Sequence, residues 1–262
     1  MSEKTAYALV TGASSGIGLA ISKDLAGRGY PLLMVSNEEE NLNRAAADIQ
    51  AAFHVNAVPL YMDLANNDSA QKLYDYCAAN NIGVEILVNN AGIFFFKDIV
   101  ETAPQRMETM LNLHIHTPAM LCRLFAEQMI RENRKGYILN IASVAAQMMM
   151  PGIALYSSTK SFLRCFSRSM RHEVFDKGIG ITTVCPGAAA TGLYNLPPRY
   201  IKLGICLGII IPAERLARLA VKKMFRRKAE VIPGWFINRL FIFLVNAMPE
   251  VLVRRIKRSL RY

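Results

Sequence analysis

Thr11-Gly12-Ala13-Ser14-Ser15-Gly16-Ile17-Gly18 is a glycine-rich turn between two unlike patterns. Before it, residues 7–10 form a short apolar and aromatic run with the length of a buried parallel strand. After it, Ile17, Ala20, Ile21 and Leu25 recur at helical spacing along one stripe. A strand that passes into a helix through glycines suits a pyrophosphate. The glycines let the backbone approach the phosphates, and the helix N-terminus offers free N–H groups and a favourable dipole. Such a turn alone is weak evidence, and its weight depends on whether strands and helices keep alternating along the chain.

The alternation continues. Strands are expected at 32–35, 57–62, 86–88, 137–141 and 179–185, and helices at 38–53, 69–79, 104–131 and 158–175. Strands alternating with helices predict an α/β fold: a three-layer, doubly wound parallel sheet of Rossmann type with helices on both faces. Ligands of such sheets sit at the carboxyl ends of the strands. The polar and glycine-rich clusters fall there: residues 12–18, Asp63, residues 89–92, Ser143 and Pro186-Gly187.

The chain has 262 residues, 52% of them hydrophobic, enough to bury a large core. Five scattered cysteines without a C-x-x-C pair argue against a disulfide framework or a zinc site, and fit a reducing cytosol. Residues 1–4 are polar and lack the order of a signal peptide, so a cytoplasmic protein is expected. The net charge of +11 is uneven: residues 213–262 hold 13 Lys/Arg against 3 Asp/Glu, a net of +10. A basic tail on a nearly neutral body suggests an anionic partner for the tail. Nucleic acid is not expected, since no aromatic platform accompanies the charge.

Tyr156-Ser157-Ser158-Thr159-Lys160 places a phenol and an ammonium four residues apart, on one face if the segment is helical. A nearby cation favours the ionised phenol, whose ordinary pKa is ~10; bringing it near 7 takes roughly 4 kcal/mol. A Tyr and a Lys sharing an amphipathic helix are common, and the pair gains meaning only with its companions.

With T-G-A-S-S-G-I-G at 11–18, N-N-A-G at 89–92, Asn112, Ser143, Y-S-S-T-K at 156–160 and P-G at 186–187, the chain resembles the classical short-chain dehydrogenase/reductase family. The resemblance covers residues 6 to about 192. It implies that Gly12, Ser14, Ser15, Gly16, Ile17 and Gly18 hold a cofactor pyrophosphate. Asp63 and Asn89 are placed by the adenine and its ribose. Ser36, Asn37, Leu64, Asn90, Ala91, Gly92, Pro186, Gly187 and Thr191 are placed along the same cofactor. Tyr156 becomes the proton donor or acceptor, and Lys160 lowers its pKa and binds the nicotinamide ribose. Ser143 binds the substrate oxygen, and Asn112 holds a water in a relay behind Lys160. The chemistry agrees, because hydride transfer to a carbonyl carbon puts charge on oxygen, which needs a hydroxyl donor and a proton source. His114 and His116 lack metal-ligand partners at suitable spacing and are read as packing or surface residues.

Strand 32–35 runs into Ser36-Asn37 without the acid that binds the ribose of NAD, which favours NADP(H) and leaves NAD(H) open. Three glutamates at 38–40 either repel a phosphate or form a solvated helix start. On the substrate side, Met148, Met149 and Met150 offer a soft apolar wall, or plain packing. The uncharged run 203–211 suggests a lid over a lipophilic substrate.

Beyond the main domain, 1–233, the extension 234–262 combines an apolar stretch with a basic amphipathic one. Neither apolar run reaches the ~20 residues of a spanning helix. The extension is expected to lie on the inner face of a membrane, or to pack on the body or another subunit. The expected activity is reduction of a ketone of 3-oxoacyl, 3-ketosphinganine or steroid type. The alternatives are a soluble carbonyl reductase or sugar-alcohol dehydrogenase, and a catalytically silent scaffold. Homo-oligomers, where formed, are expected through the helices at 104–131 and 158–175.

Overall fold

The computed structural model describes residues 6–190 and 210–259. Its strands are β1 (Ala6–Thr11), β2 (Leu32–Ser36), β3 (Ala57–Tyr61), β4 (Gly83–Asn89), β5 (Gly136–Ile141), β6 (Ile179–Val184), β7 (Ala188–Ala190), β8 (Ile210–Pro212) and β9 (Glu230–Val231). Seven of them form one sheet in the order β3-β2-β1-β4-β5-β6-β9, with every pairing parallel. β7 and β8 pair separately. The order reverses between β1 and β4, so the turn after β1 and the loop after β4 open side by side at the carboxyl edge.

Helices α1 (Gly16–Ala26), α2 (Glu39–Phe53), α3 (Ser69–Ala79), α4 (Pro104–Leu111), α5 (Thr117–Arg131), α6 (Ala154–Val174) and α7 (Ala213–Phe225) cover both faces. The strand period of two sorts the core. Ala8, Val10, Leu32, Met34, Ile86 and Val88 meet Ile21 of α1, Leu42 of α2 and Leu216 of α7 on one side. Leu9, Leu33, Val35 and Leu87 meet Leu73 of α3, Phe125 of α5 and Met170 of α6 on the other. Each fully buried side chain of this size contributes about 1.5–3 kcal/mol.

Edges follow the same physics. Pro59 sits in β3, an edge strand, where its missing N–H costs no ladder bond. The opposite edge, β9, is two residues long, and its Glu230 is held by Arg164 of α6 through two bonds of 2.7 and 3.1 Å.

Two of the expected helices differ by a turn or more. The helix expected over 104–131 is interrupted by a π turn, Asn112–His116, whose closing bond runs from the Thr117 N–H to the Asn112 carbonyl. Pro118 accounts for it: proline brings no N–H to the carbonyl four residues back, and its ring crowds that turn. Helix α6 starts at Ala154, four residues before the expected 158, so Tyr156 lies inside its first turn.

The C-terminal extension forms α8 (Trp235–Asn246) and α9 (Glu250–Ser259). Ile242 packs on Val144 and Met148. The Asn246 side chain donates to the Gln147 carbonyl at 2.7 Å and accepts from the Met149 N–H at 3.3 Å. Leu240, Phe243 and Leu244, on the other side of α8, are 49%, 66% and 55% exposed. The helix thus packs on the body and still offers an apolar outer face. Among the described residues, no helix is long and apolar enough to cross a membrane.

Candidate active site

Gly12 and Gly16 both take positive φ, +63° and +56°, as the tight turn from β1 into α1 requires. At Gly18 the need is space: a Cβ there would lie 2.0 Å from the Gly12 carbonyl oxygen. The loop after β4 is laced to this turn. Thr11 Oγ1 accepts from the Asn90 and Ala91 N–H groups at 2.9 and 3.1 Å and donates to the Val88 carbonyl at 3.1 Å. Asn90 Nδ2 donates to the carbonyls of Thr11 and Gly12 at 3.0 and 3.1 Å.

A cavity of about 400 Å³ extends from this turn across the carboxyl edge of the sheet. At one end lie Ser36, Asn37, Glu38, Asp63 and Leu64; at the other, Ser143, Tyr156, Lys160, Pro186 and Gly187. Gly12, Ser14, Ser15, Gly16, Ile17, Asn90, Ala91 and Gly92 form the stretch between. Gly18 acts through packing. Asn89 is turned away: its Nδ2 donates to Asn140 Oδ1 at 2.8 Å in the buried core, so Asn90, the next residue of the chain, takes the place by the cavity. Thr191 and most of the expected lid, 203–209, lie outside the described residues.

The end of the cavity near β2 carries a carboxylate. Glu38 precedes α2 and its Oε2 accepts from Ser14 Oγ at 3.0 Å, while Ser36 Oγ donates to Ser14 Oγ at 2.9 Å. The chain of hydroxyls pins Glu38 at the site. Both readings, repulsion or a solvated helix start, stay open, since it stands at the helix start and lines the cavity.

At the other end, Ser143 caps a short 3-10 turn, its Oγ accepting from the Ala145 N–H at 3.1 Å. Helix α6 carries Tyr156 and Lys160, both buried. Lys160 Nζ donates to the Ile141 carbonyl at 3.0 Å and lies 5.8 Å from the centre of the Tyr156 ring. Burial pushes Lys160 down from 10.5 to about 8. Asn112 stands apart, opening the π turn; its side chain donates to the Ala65 carbonyl at 2.7 Å and so fixes the segment after β3.

The apolar wall is only partly the expected one. Around Tyr156 gather Phe94, Phe95, Met110, Met150 and Ile153, with Phe94 edge-on to the phenol ring at 5.0 Å. Met148 packs instead under α8, and Met149 is 78% exposed. The consecutive aromatics Phe94–Phe96 were the signal for this wall.

His114, read from the sequence as packing or surface, is buried beside Tyr156, with ring centres 5.7 Å apart. Its Nε2 accepts from the Ile93 N–H at 3.1 Å, and its Nδ1 is 3.0 Å from Thr159 Oγ1. Burial, and secondarily the Lys160 charge, hold its pKa well below 6.5.

The turn, the cavity and the Ser-Tyr-Lys end together can hold an extended anionic dinucleotide and give a proton to an oxygen beside it. A sequence profile described as short chain dehydrogenase matches residues 6–196. The very-long-chain 3-oxoacyl-CoA reductase-B of Danio rerio is 33% identical over 210 residues, 75% of this chain. That match spans 66% of the relative's own length. A short-chain dehydrogenase from Sphingobium yanoikuyae, solved in complex with NADPH, is 26% identical, with TM-score 0.78 over 92% of each chain. The bulky-bulky ketone specific alcohol dehydrogenase from Comamonas testosteroni is 25% identical, with TM-score 0.75 over 95% of this chain and 96% of that one.

Proposed function

Since this chain belongs to the short chain dehydrogenase family, we propose that it is an NADP(H)-dependent reductase that interconverts a lipophilic ketone and its secondary alcohol. The observation that carries the reading is the convergence of Ser143, Tyr156 and Lys160 on the end of a cavity whose other end is a glycine turn. The residues present fit a dinucleotide: an added Cβ at Gly12 would lie 2.9 Å from Ala91 Cα, so side chains are excluded where the backbone must meet phosphates. Gly12, Ser14, Ser15, Gly16 and Ile17 would hold the pyrophosphate, and Ser36 and Asn37 the adenosine end. When bound, the cofactor supplies or takes up the hydride. Ser143 Oγ orients the substrate oxygen. Tyr156 gives that oxygen its phenolic proton in reduction and takes it back in oxidation, and the Lys160 ammonium stabilises the phenolate left behind. Asn112 acts through the Ala65 segment and the π turn, as a positioning residue.

NADP(H) is favoured by the neutral Ser36-Asn37 end of β2 and by the likeness to the NADPH-bound Sphingobium yanoikuyae enzyme. A bulky apolar substrate is favoured by the Phe94, Phe95, Met150 and Ile153 wall and by the likeness to the Danio rerio and Comamonas testosteroni proteins. Within that class a 3-oxoacyl thioester is the first substrate to try. The outer face of α8, with the basic α9 after it, fits an anionic lipid surface. The groove between α5 and α6, about 650 Å³ and lined by Met120, Ile130, Phe166 and Met170, fits a second copy of the chain.

The test is NADPH oxidation with 3-oxoacyl thioesters, 3-ketosphinganine and oxosteroids, in the native protein and in Tyr156→Phe. We expect turnover to fall by about 10²–10⁴-fold in the variant, with NADPH affinity nearly unchanged. A variant as active as the native protein removes Tyr156 from the mechanism, and a clear NADH preference overturns the cofactor.

A further inference from the structure

We infer that His114 is a positioning residue that joins the loop after β4 to the catalytic helix α6 as a neutral Nδ1–H imidazole, and so sets the Tyr156 phenol against the cofactor cavity. The inference rests on the catalytic reading of Tyr156.

Proton directions fix the tautomer. The Ile93 N–H can only donate, so the Nε2 that faces it at 3.1 Å must present a lone pair. The proton of the neutral ring is then on Nδ1, which donates to Thr159 Oγ1 at 3.0 Å. Thr159 passes its own proton to the Tyr156 carbonyl at 2.8 Å. The chain Nδ1–H to Thr159 to the Tyr156 carbonyl is directional and filled. A second ring proton would point Nε2–H at the Ile93 N–H and break that bond.

One ring therefore spans three elements. His114 comes from the π turn, Ile93 follows Ala91 and Gly92 of the cavity floor, and Thr159 belongs to the turn of α6 that carries Tyr156. Contact is close enough that a Cβ at Gly92 would lie 2.7 Å from Nε2. His114 is 1% and Thr159 0% exposed, so water does not replace either bond when it is lost. The ionisable groups against the ring are Tyr156 and Lys160, both from α6. The small void beside it, lined by residues of β1, β4, β5, α5 and α6, adds no ionisable group but Lys160. A packing residue needs neither bond, and a leucine would fill the volume and leave the Ile93 N–H without its acceptor.

Misplacing a catalytic group by about 1 Å costs on the order of 10²-fold, so loss of the joint should appear in kcat. We expect His114→Leu to lower kcat by about 10- to 100-fold with a smaller change in KM. His114→Gln supplies an acceptor toward Ile93 and cannot be protonated. It should retain more activity than the leucine variant and lack the fall in kcat expected of the native protein where His114 takes up its second proton, well below pH 6.5. A leucine variant with native circular dichroism, native kcat and a native pH profile overturns the inference. If the leucine variant does not fold, a glutamine variant with the native acid limb overturns it. Nitrogen-15 NMR of the free protein reads the tautomer without any substrate. The Nδ1–H form at pH 6–8 is expected, and the Nε2–H form or an imidazolium refutes the joint. A native protein with the Nδ1–H form that turns over no ketone refutes the catalytic reading instead.

Discussion

Replacing Lys160 with methionine should make the cofactor-free protein more stable and inactive. Lys160 is pushed down from 10.5 to about 8 by burial, and at about 1.36 kcal/mol per pH unit its charge costs the folded protein about 3 kcal/mol at neutral pH. Methionine has similar length and no charge to desolvate. The lost Nζ bond to the Ile141 carbonyl gives back about 1 kcal/mol, which leaves a net gain of about 2 kcal/mol, or roughly 5 °C in Tm for a chain of this size. The pH dependence carries the sharper signature. The folded value lies below the unfolded one, so between pH 8 and 10.5 the unfolded chain still binds a proton that the folded chain has released. Native stability therefore rises with pH across that window relative to Lys160→Met, and the advantage of the variant shrinks to nothing near pH 10 and becomes a deficit of about 1 kcal/mol, the lost bond, well above it. Urea unfolding of both proteins at pH 7, 8.5 and 10 measures this. A variant that is less stable at pH 7, or a difference that stays constant with pH, would refute the claim that burial sets the Lys160 pKa.

Glu38→Gln removes the carboxylate that Ser14 and Ser36 hold at the β2 end of the cavity. NADPH affinity, read by fluorescence titration, should rise severalfold with NADH affinity moving less; equal changes would show that Glu38 does not face the cofactor's added phosphate. Deleting 234–262 should abolish co-sedimentation with anionic vesicles and raise KM for a bulky ketone, because Ile242 and Asn246 no longer hold residues 144–149. Leu240→Asp with Phe243→Asp should lose the vesicles alone, and unchanged vesicle binding in both would sink the membrane reading.

The sheet and its order of elements were legible because strand period, helix stripe and glycine turns are local properties. Contacts that decide the site were less so. Asn89 and Asn90 are neighbours in sequence, but a strand sends successive side chains to opposite faces, so one enters the core and the other the cavity. The π turn was hidden because Pro118 reads as a helix start rather than as a fault within one. His114 reaches Thr159 across 45 residues and Ile93 across 21, and no spacing rule connects such positions. Three methionines read from the sequence as a wall or as plain packing: Met150 joins the wall around Tyr156 and Met148 packs under α8, while Phe94 and Phe95 supply more of the wall from a loop whose direction only the fold determines.

The clasp between Asn246 and the backbone of Gln147 and Met149 has an evolutionary consequence. Ser143, just after β5, and Tyr156 and Lys160 of α6, to which we assign the chemistry, lie inside the part of the chain that matches the family profile, whereas α8 lies beyond residue 196, where that match ends. Substitutions along α8 can reshape the mouth of the site through a bond to main chain, whatever side chains residues 147 and 149 bear. Substrate range can then drift through α8 as well as through the wall around Tyr156, with Ser143, Tyr156 and Lys160 left untouched.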